Sequence, residues 1–333
     1  ASRSSGIAAP LPFRAGAGAI LAPMQYRRVG ASGLEVSAIS LGGWLTFGGS
    51  IEQEATQGVI RAALDGGVNF IDLADVYARG AAEEAAAQVL GGLPRHELVV
   101  SSKCFWPMSE APNDRGLSRK HILESCDRSL ARLRMDYLDL YFCHREDPTV
   151  PLVETIRAMD HLVNQGKVLY WGTSCWSAER LRETHRLCAE HGWHAPIVEQ
   201  PQYSLLVRDV EASVEPAVAE TGMGLVVWSP LAGGALTGKY DAGVPEGSRG
   251  ATTEWLDGYL TDDGLERLRT FSGLAAEAGC KPSQLALAWL LRCGTVSSVI
   301  TGATRAEQVT ENLAAVEVQV DDALAARLDE LFP

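Results

Sequence analysis

The chain is short of positive charge. Its 29 Lys and Arg stand against 42 Asp and Glu, a formal net charge of −13 over 333 residues. Affinity for a phosphate backbone rests on clustered cations, so a nucleic-acid partner is not expected, and the acidic excess reads as a solubilising surface. No apolar run is long enough to cross a bilayer, so no membrane insertion is expected. There is no GxGxxG, so a dinucleotide would have to bind without a Rossmann turn. The seven cysteines are odd in number and form no CxxC pair. They read as reduced thiols of a cytoplasmic protein, not as a disulfide framework. No repeat of fixed period is visible. What is present is ordinary globular material, 46% hydrophobic and 21% charged.

Residues 1–23 differ from the rest: Ala, Gly, Ser and Pro dominate, with two arginines and no acid. Pro10, Pro12 and Arg14 interrupt the apolar stretch a signal peptide needs. The segment is expected to be a leader before a true start at Met24, a flexible native arm or part of a transit peptide. Residues 24–333 are expected to form a single domain. From Met24 the pattern predicts a hairpin, Tyr26–Val29 with Leu34–Val36 around Ala31-Ser32-Gly33, then a strand at Ile39–Leu41 with a helix over 53–65. Apolar strand-like runs and helical runs then alternate: NFIDL and 80–91, ELVVSSK and 118–133, YLDLYFCH and 151–165, KVLYWGTS and 177–190, PIVEQ and 209–221, GLVVWSP and 261–293 in pieces, SSVITG and 305–315. Uninterrupted apolar strands with helical crossovers imply a parallel sheet buried on both faces. Eight such units favour an α/β fold of the (β/α)₈ TIM-barrel type, with the short N-terminal β-hairpin and extra C-terminal helices.

Active sites of this fold lie at the C-terminal ends of the strands. The second strand ends in Asp72, inside the apolar stretch NFIDLADVY, with Tyr77 in the following loop. The third ends in Lys103, the fourth in His144, the fifth in Gly172-Thr173-Ser174, the sixth in Gln200 and the seventh in Trp228-Ser229-Pro230. A buried carboxylate is costly unless paired, and Lys103 is the expected partner of Asp72. An ammonium beside a tyrosine favours the phenolate and lowers a pKa that is otherwise near ~10. His144 could donate a hydrogen bond to an oxygen on which negative charge develops. Such a set suits protonation of the oxyanion formed by hydride attack on a carbonyl. Alone, Asp72 would cap a turn, Lys103 would be a surface residue and His144 would bond locally. Four such residues at consecutive strand ends argue against that reading.

Other patterns carry less. GGALTGK at 233–239 fits GxxxxGK, but Tyr240 stands where a magnesium-binding Ser or Thr is needed. Cys188, His191 and His194 have metal-like spacing but no fourth ligand, and no metal is expected. GTSCW lacks the second glycine of a nucleophile elbow.

The stretches NFIDLADVY, VVSSK, YFCHRED, YWGTSCWS, VEQPQYS and VVWSPLAGGALTGKY resemble the aldo-keto reductases. Together with GLSRKHI, VNQGKV and SSVITGATRAEQVTEN they resemble most closely the branch of the potassium-channel β subunits and their bacterial relatives. The resemblance runs from about Tyr26 to the C-terminus. It implies a (β/α)₈ barrel that reduces aldehydes and ketones with NAD(P)H. Its Asp, Tyr, Lys and His tetrad falls on Asp72, Tyr77, Lys103 and His144. It places Trp228 against the nicotinamide, Ser174 and Gln200 at the carboxamide, and Gly43 and Trp44 beside the nicotinamide and substrate. It puts Ser229, Pro230, Leu231, Ala232 and Gly233 along the pyrophosphate, and Lys239 and Arg249 at the adenosine end. Gly302, Thr304, Gln308, Glu311 and Asn312 fall around the adenine and 2′-phosphate. Two cations beside a helix start favour NADPH over NADH. The chain departs from the pattern at Cys175, where the family often has Asn and the channel subunits Arg. Gln308 replaces a basic residue common in the superfamily, and His144 stands where the channel subunits have Asn. Two functions stay open: a reductase of small carbonyl compounds, which His144 favours, and a cofactor-binding regulatory or redox-sensing module with slow turnover. The resemblance also leaves room for a homo-oligomer.

Overall fold

A computed structural model describes residues 23–333 of the chain. The expected leader therefore lies, apart from Pro23, outside the described residues. Strands β1 (Tyr26–Arg28) and β2 (Glu35–Ser37) pair antiparallel, with Tyr26 opposite Ser37. Eight parallel strands follow and close into a barrel: β3 (Ile39–Gly42), β4 (Phe70–Asp72), β5 (Val99–Cys104), β6 (Leu138–Cys143), β7 (Val168–Thr173), β8 (Val198–Glu199), β9 (Gly224–Val227) and β10 (Val296–Thr301). Each pairs with the next, and β10 returns to β3.

The helices that cover the barrel lie close to the expected bounds. They are α1 (Gln53–Asp65), α2 (Ala81–Leu90), α3 (Arg119–Leu133), α4 (Leu152–Asn164), α5 (Ala178–His191) and α6 (Val210–Thr221). In α1 the buried residues are Thr56, Val59, Ile60 and Ala63, the i, i+3, i+4, i+7 spacing of one helix face. The hydroxyls of Ser118 and Ser177 accept from the N–H groups of His121 and Arg180 and so start α3 and α5. After β9 come a short α7 (Arg249–Thr252), then α8 (Asp262–Glu277) and α9 (Pro282–Leu291). Gly279, at φ 70°, and Pro282, at the first position of α9, explain why the run 261–293 is broken. Helix α10 (Ala306–Leu313) follows β10, and α11 (Asp322–Leu331) is an extra C-terminal helix. Strand β8 is shorter than PIVEQ suggests, because Pro196 and Pro201 flank it and neither has an N–H for the ladder.

The hairpin closes one end of the barrel. Val29 and Val36 join Phe70, Val99, Leu140, Phe142, Val198, Val226 and Ile300 in an inner cluster. At the hairpin tip the N–H of Ala31 donates to the carbonyl of Gly222, just before β9 begins. Gly30 there has φ 55°, and a Cβ on it would sit 2.3 Å from the Gly222 oxygen, so no side chain fits. The hairpin therefore seals the ends where the strands start, and the other ends are left open.

Candidate active site

Strand side chains alternate between the two faces of a sheet. Phe70, Val99, Leu140, Val198 and Val226 point into the barrel. Counting by twos along each strand brings Asp72, Lys103, His144, Gln200 and Trp228 to the same face, at the open end. The convergence of the set is thus explained by register, and the register is observed: Asp72 pairs with Ser101, and Lys103 with Phe142.

Lys103 and Asp72 are both buried, and Lys103 Nζ donates to Asp72 Oδ2 at 2.6 Å. The ammonium also donates to the carbonyl of Leu73 at 2.7 Å and lies 3.1 Å from the Tyr77 hydroxyl. Asp72 Oδ1 accepts from Ser101 Oγ at 2.7 Å and from Gln200 Nε2 at 3.0 Å. The carboxylate is thus spanned by a cation and two neutral donors, the arrangement a buried anion requires. The ring of His144 meets that of Tyr77 edge-on, with centroids 5.9 Å apart. Its Nδ1 is buried and makes no hydrogen bond among the described residues.

Burial sets the protonation states. The Tyr77 hydroxyl is pushed well above its ordinary range by desolvation and by the Asp72 charge, which outweigh the opposing pull of Arg145. This reverses the expected direction: in the free protein Tyr77 is a firmly protonated phenol. His144 is held well below its ordinary value by desolvation, then by Lys103 and Arg145, so its imidazole is neutral. Lys103 is drawn down by burial and back up by Asp72. A neutral phenol, a neutral imidazole and a paired ammonium together offer proton donors around one point.

Non-glycine residues with left-handed φ mark the same end of the barrel. They are Leu45 after β3, Ala78 and Arg79 after β4, Cys175 after β7, and Ser229 and Ala232 after β9; only Arg134, at the end of α3, lies elsewhere. Each costs of order 1–3 kcal/mol, and such strain collects at functional sites. Trp228, at the end of β9, is partly buried against the inner cluster. Ser174 Oγ donates to the carbonyl of Gln200 at 2.8 Å, which ties the two expected carboxamide contacts together. Gly43 is buried beside Leu73 and Phe47. Trp44 is 43% exposed and stacks on Trp255, with ring centroids 5.6 Å apart. In the loop after β9, Pro230, Leu231, Ala232 and Gly233 run past both expected cations. Arg249 Nη1 donates to the Gly233 carbonyl at 3.4 Å, and a Cβ on Gly234 would come within 2.6 Å of Lys239 Nζ.

The late loop is less free. The N–H of Thr304 donates to Gln308 Oε1 at 2.8 Å, so Gln308 caps the start of α10. Glu311 accepts from Lys281 Nζ at 2.6 Å and Ser283 Oγ at 2.8 Å, which fastens α10 to the start of α9. Asn312 is buried and Gly302 exposed.

Four residues of this region escaped the sequence reading. Ser101 holds Asp72, and its signal was available, two positions before Lys103 on the same face. Arg145 follows His144 directly. Trp106 comes within 6.3 Å of His144 ring to ring, and Trp255 reaches Trp44 from 211 positions away, with no local signal. A groove of about 480 Å³ lined by Phe105, Trp106, Arg115, Asp147 and Val150 lies beyond Trp106 and includes none of the four expected catalytic residues. Among the described residues no group of three His, Cys, Asp or Glu is placed to hold a metal, and no helix is long and apolar enough to cross a membrane. His194 instead binds Asp160, with Nδ1 at 2.7 Å from Oδ1. All seven cysteines are free.

The profile of the aldo/keto reductase family matches residues 38–332. A probable voltage-gated potassium channel subunit beta of Oryza sativa subsp. japonica is 45% identical over 302 residues, 89% of this chain and 92% of that one. Its counterpart in Arabidopsis thaliana is 44% identical over the same shares. A putative voltage-gated potassium channel subunit beta of Schizosaccharomyces pombe is 42% identical over 319 residues, 92% of this chain and 93% of that one.

Proposed function

The chain belongs to the aldo/keto reductase family, an oxidoreductase family that generally binds NAD(P)H, and we propose that it reduces aldehydes and ketones to alcohols with NADPH. The observation that carries this reading is the position of Lys103 Nζ, 2.6 Å from Asp72 Oδ2 and 3.1 Å from the Tyr77 hydroxyl.

The residues present fit the dinucleotide. In the left-handed loop Ala232-Gly233-Gly234 two of the three residues carry no side chain, and Lys239 and Arg249 stand against it without a carboxylate partner among the described residues. Trp228 offers a ring for the nicotinamide, and Ser174 and Gln200 offer polar groups for its carboxamide. Gly43 and Trp44 border that end, while Gly302, Thr304, Gln308 and Asn312 border the adenosine end. NADPH, when bound, supplies a hydride. The substrate oxygen would lie between Tyr77 and His144. Neutral His144 donates an N–H to it as negative charge develops. Tyr77 delivers the proton, and Lys103 steadies the phenolate that remains. Asp72, with Ser101 and Gln200, keeps Lys103 charged and in place.

Tyr77→Phe tests this directly. It removes the proton donor and little volume, so NADPH affinity should stay within a few-fold while aldehyde-dependent oxidation of NADPH falls at least ~10²-fold. Turnover near wild type would refute the assignment. The names of the relatives favour a second reading, a cofactor-binding regulatory module. Tight cofactor retention with no oxidation of bound NADPH across a broad aldehyde panel would decide for it.

A further inference from the structure

Arg145 carries an unspent charge at the mouth of the site. It follows His144 on the loop after β6 and is partly buried. Its Nη1 donates to the carbonyl of His144 at 2.5 Å and to Ser174 Oγ at 3.3 Å. Among the described residues Nε and Nη2 have no acceptor, and no carboxylate lies within ion-pair distance. The guanidinium carbon is 5.6 Å from the centroid of the Trp106 ring and 5.9 Å from that of Trp228. These indoles come from the loops after β5 and β9, so the cation is held across the opening by its own main chain, by Ser174 and by two aromatic rings. Its charge is felt at Tyr77, Lys103, His144 and Cys175, which sets it beside the reacting groups and not out on the surface. Glu199 also lies within its field, but that carboxylate is occupied by Thr173 Oγ1 at 2.5 Å and by the N–H of Trp176. The expected pyrophosphate loop has cations of its own in Lys239 and Arg249, which leaves Arg145 for another anion.

We propose that Arg145 is a specificity-determining residue that binds an anionic group, a carboxylate or a phosphate, at the far end of the carbonyl substrate. The inference rests on the reductase reading above and names its substrate class. A guanidinium with two free nitrogens presents a planar fork that matches either oxyanion, and its partial desolvation strengthens the pairing. The wall beside it is aromatic and accessible, with Trp106 37% exposed, which suits a short or planar spacer between the two ends of the substrate. The acidic chain has little long-range attraction for an anion, so the local cation must do the selecting.

The test compares 4-carboxybenzaldehyde with its methyl ester, and glycolaldehyde phosphate with glycolaldehyde, in wild type, Arg145→Met and Arg145→Lys. Wild type should prefer the charged member of at least one pair in kcat/KM. Arg145→Met should cut that preference roughly 10- to 100-fold, the worth of a hydrogen bond to a charged group. Arg145→Lys should restore part of it, having the charge without the fork. A preference in one pair alone assigns the anion as carboxylate or phosphate. No preference in either pair, or equal losses on charged and neutral aldehydes in Arg145→Met, overturns the proposal. If wild type turns over none of the four, the reductase reading fails, and binding then decides. Quenching of indole fluorescence by 4-(hydroxymethyl)benzoate on the NADP⁺-loaded protein should be about 10-fold weaker in Arg145→Met, and equal affinities would sink the inference.

Discussion

Replacing Lys103 by methionine should cost the fold more than any other single change at the site. The side chain is fully buried, and its ammonium serves three acceptors: Asp72 Oδ2 at 2.6 Å, the Leu73 carbonyl at 2.7 Å and the Tyr77 hydroxyl at 3.1 Å. Methionine fills nearly the same stem volume, so packing changes little and the loss is electrostatic. Asp72 keeps only the neutral donors Ser101 and Gln200, and the Leu73 carbonyl loses its side-chain donor. Removing one partner of a buried pair costs about 3–5 kcal/mol. That is a fifth or more of a typical domain stability of roughly 5–15 kcal/mol. The sharper arm is the double variant Asp72→Asn with Lys103→Met. With no charge left to strand, it should regain about 1–4 kcal/mol over Lys103→Met alone. Urea unfolding followed by the fluorescence of the eight tryptophans reads both numbers, provided the slope m is common to the variants. A loss below about 1 kcal/mol in Lys103→Met would show that the pair is solvated. A double variant less stable than the single would show that the uncompensated carboxylate is not the source of the cost.

Three further outcomes follow from the same geometry. His144→Ala should slow single-turnover hydride transfer about 10²–10³-fold, with His144→Asn between it and wild type because the amide still donates; a flat series would make His144 structural. Neutralising Lys239 and Arg249 together should weaken NADPH about 10-fold or more beyond NADH in fluorescence titrations, and equal losses would mean that the pair only positions the loop after β9. Asp75 is buried, with Ser125 Oγ at 2.7 Å on one oxygen and no partner among the described residues on the other, and desolvation raises its carboxyl to about 7. Its stabilising contribution is therefore full below pH ~4 and lost as pH rises through about 7, up to roughly 4 kcal/mol, so Asp75→Asn should flatten the fall in urea midpoint between pH 5 and 8. A variant that keeps the wild-type slope would contradict this.

The barrel was legible because its signal is periodic. Apolar runs ending in Asp72, Lys103, His144, Gln200 and Trp228 gave both the strands and, by twos, the face on which those residues meet. Helix bounds fell within a residue or two of expectation where a serine cap marked them, as at Ser118 and Ser177, whereas the break at Gly279 and Pro282 inside the run 261–293 was not placed. What stayed hidden lies in loops and in pairings across the fold. Trp255 meets Trp44 only because the segment after α7 returns over the end of β3. Glu83 is a buried carboxylate of α2 that takes Ser102 Oγ at 2.6 Å and Arg132 Nε at 2.5 Å, and no spacing in the chain announces that triad. The direction of the Tyr77 shift was misjudged for a related reason. The pattern shows that a lysine is near, but not how much water the closed barrel excludes.

That exclusion also sorts the ionisable groups by what they can do. Desolvation acts on every group at the open end and always favours the neutral form. For Tyr77 and His144 it prevails, leaving one O–H and one N–H at the open end. Lys103 is drawn down by burial and back up by Asp72, 2.6 Å away, and Asp72 holds three donors. Arg145 adds a guanidinium beside them, and its charge is felt at Tyr77, Lys103 and His144. Two of these charges cancel each other. The third has no counter-charge within ion-pair distance among the described residues, and it lies 5.6 Å from the Trp106 ring and 5.9 Å from that of Trp228. On the proposed reading, the neutral donors serve an oxygen that becomes negative during the reaction, and the remaining cation serves an anion present from the start. A ligand that satisfies both ends has a carbonyl at one and an oxyanion at the other.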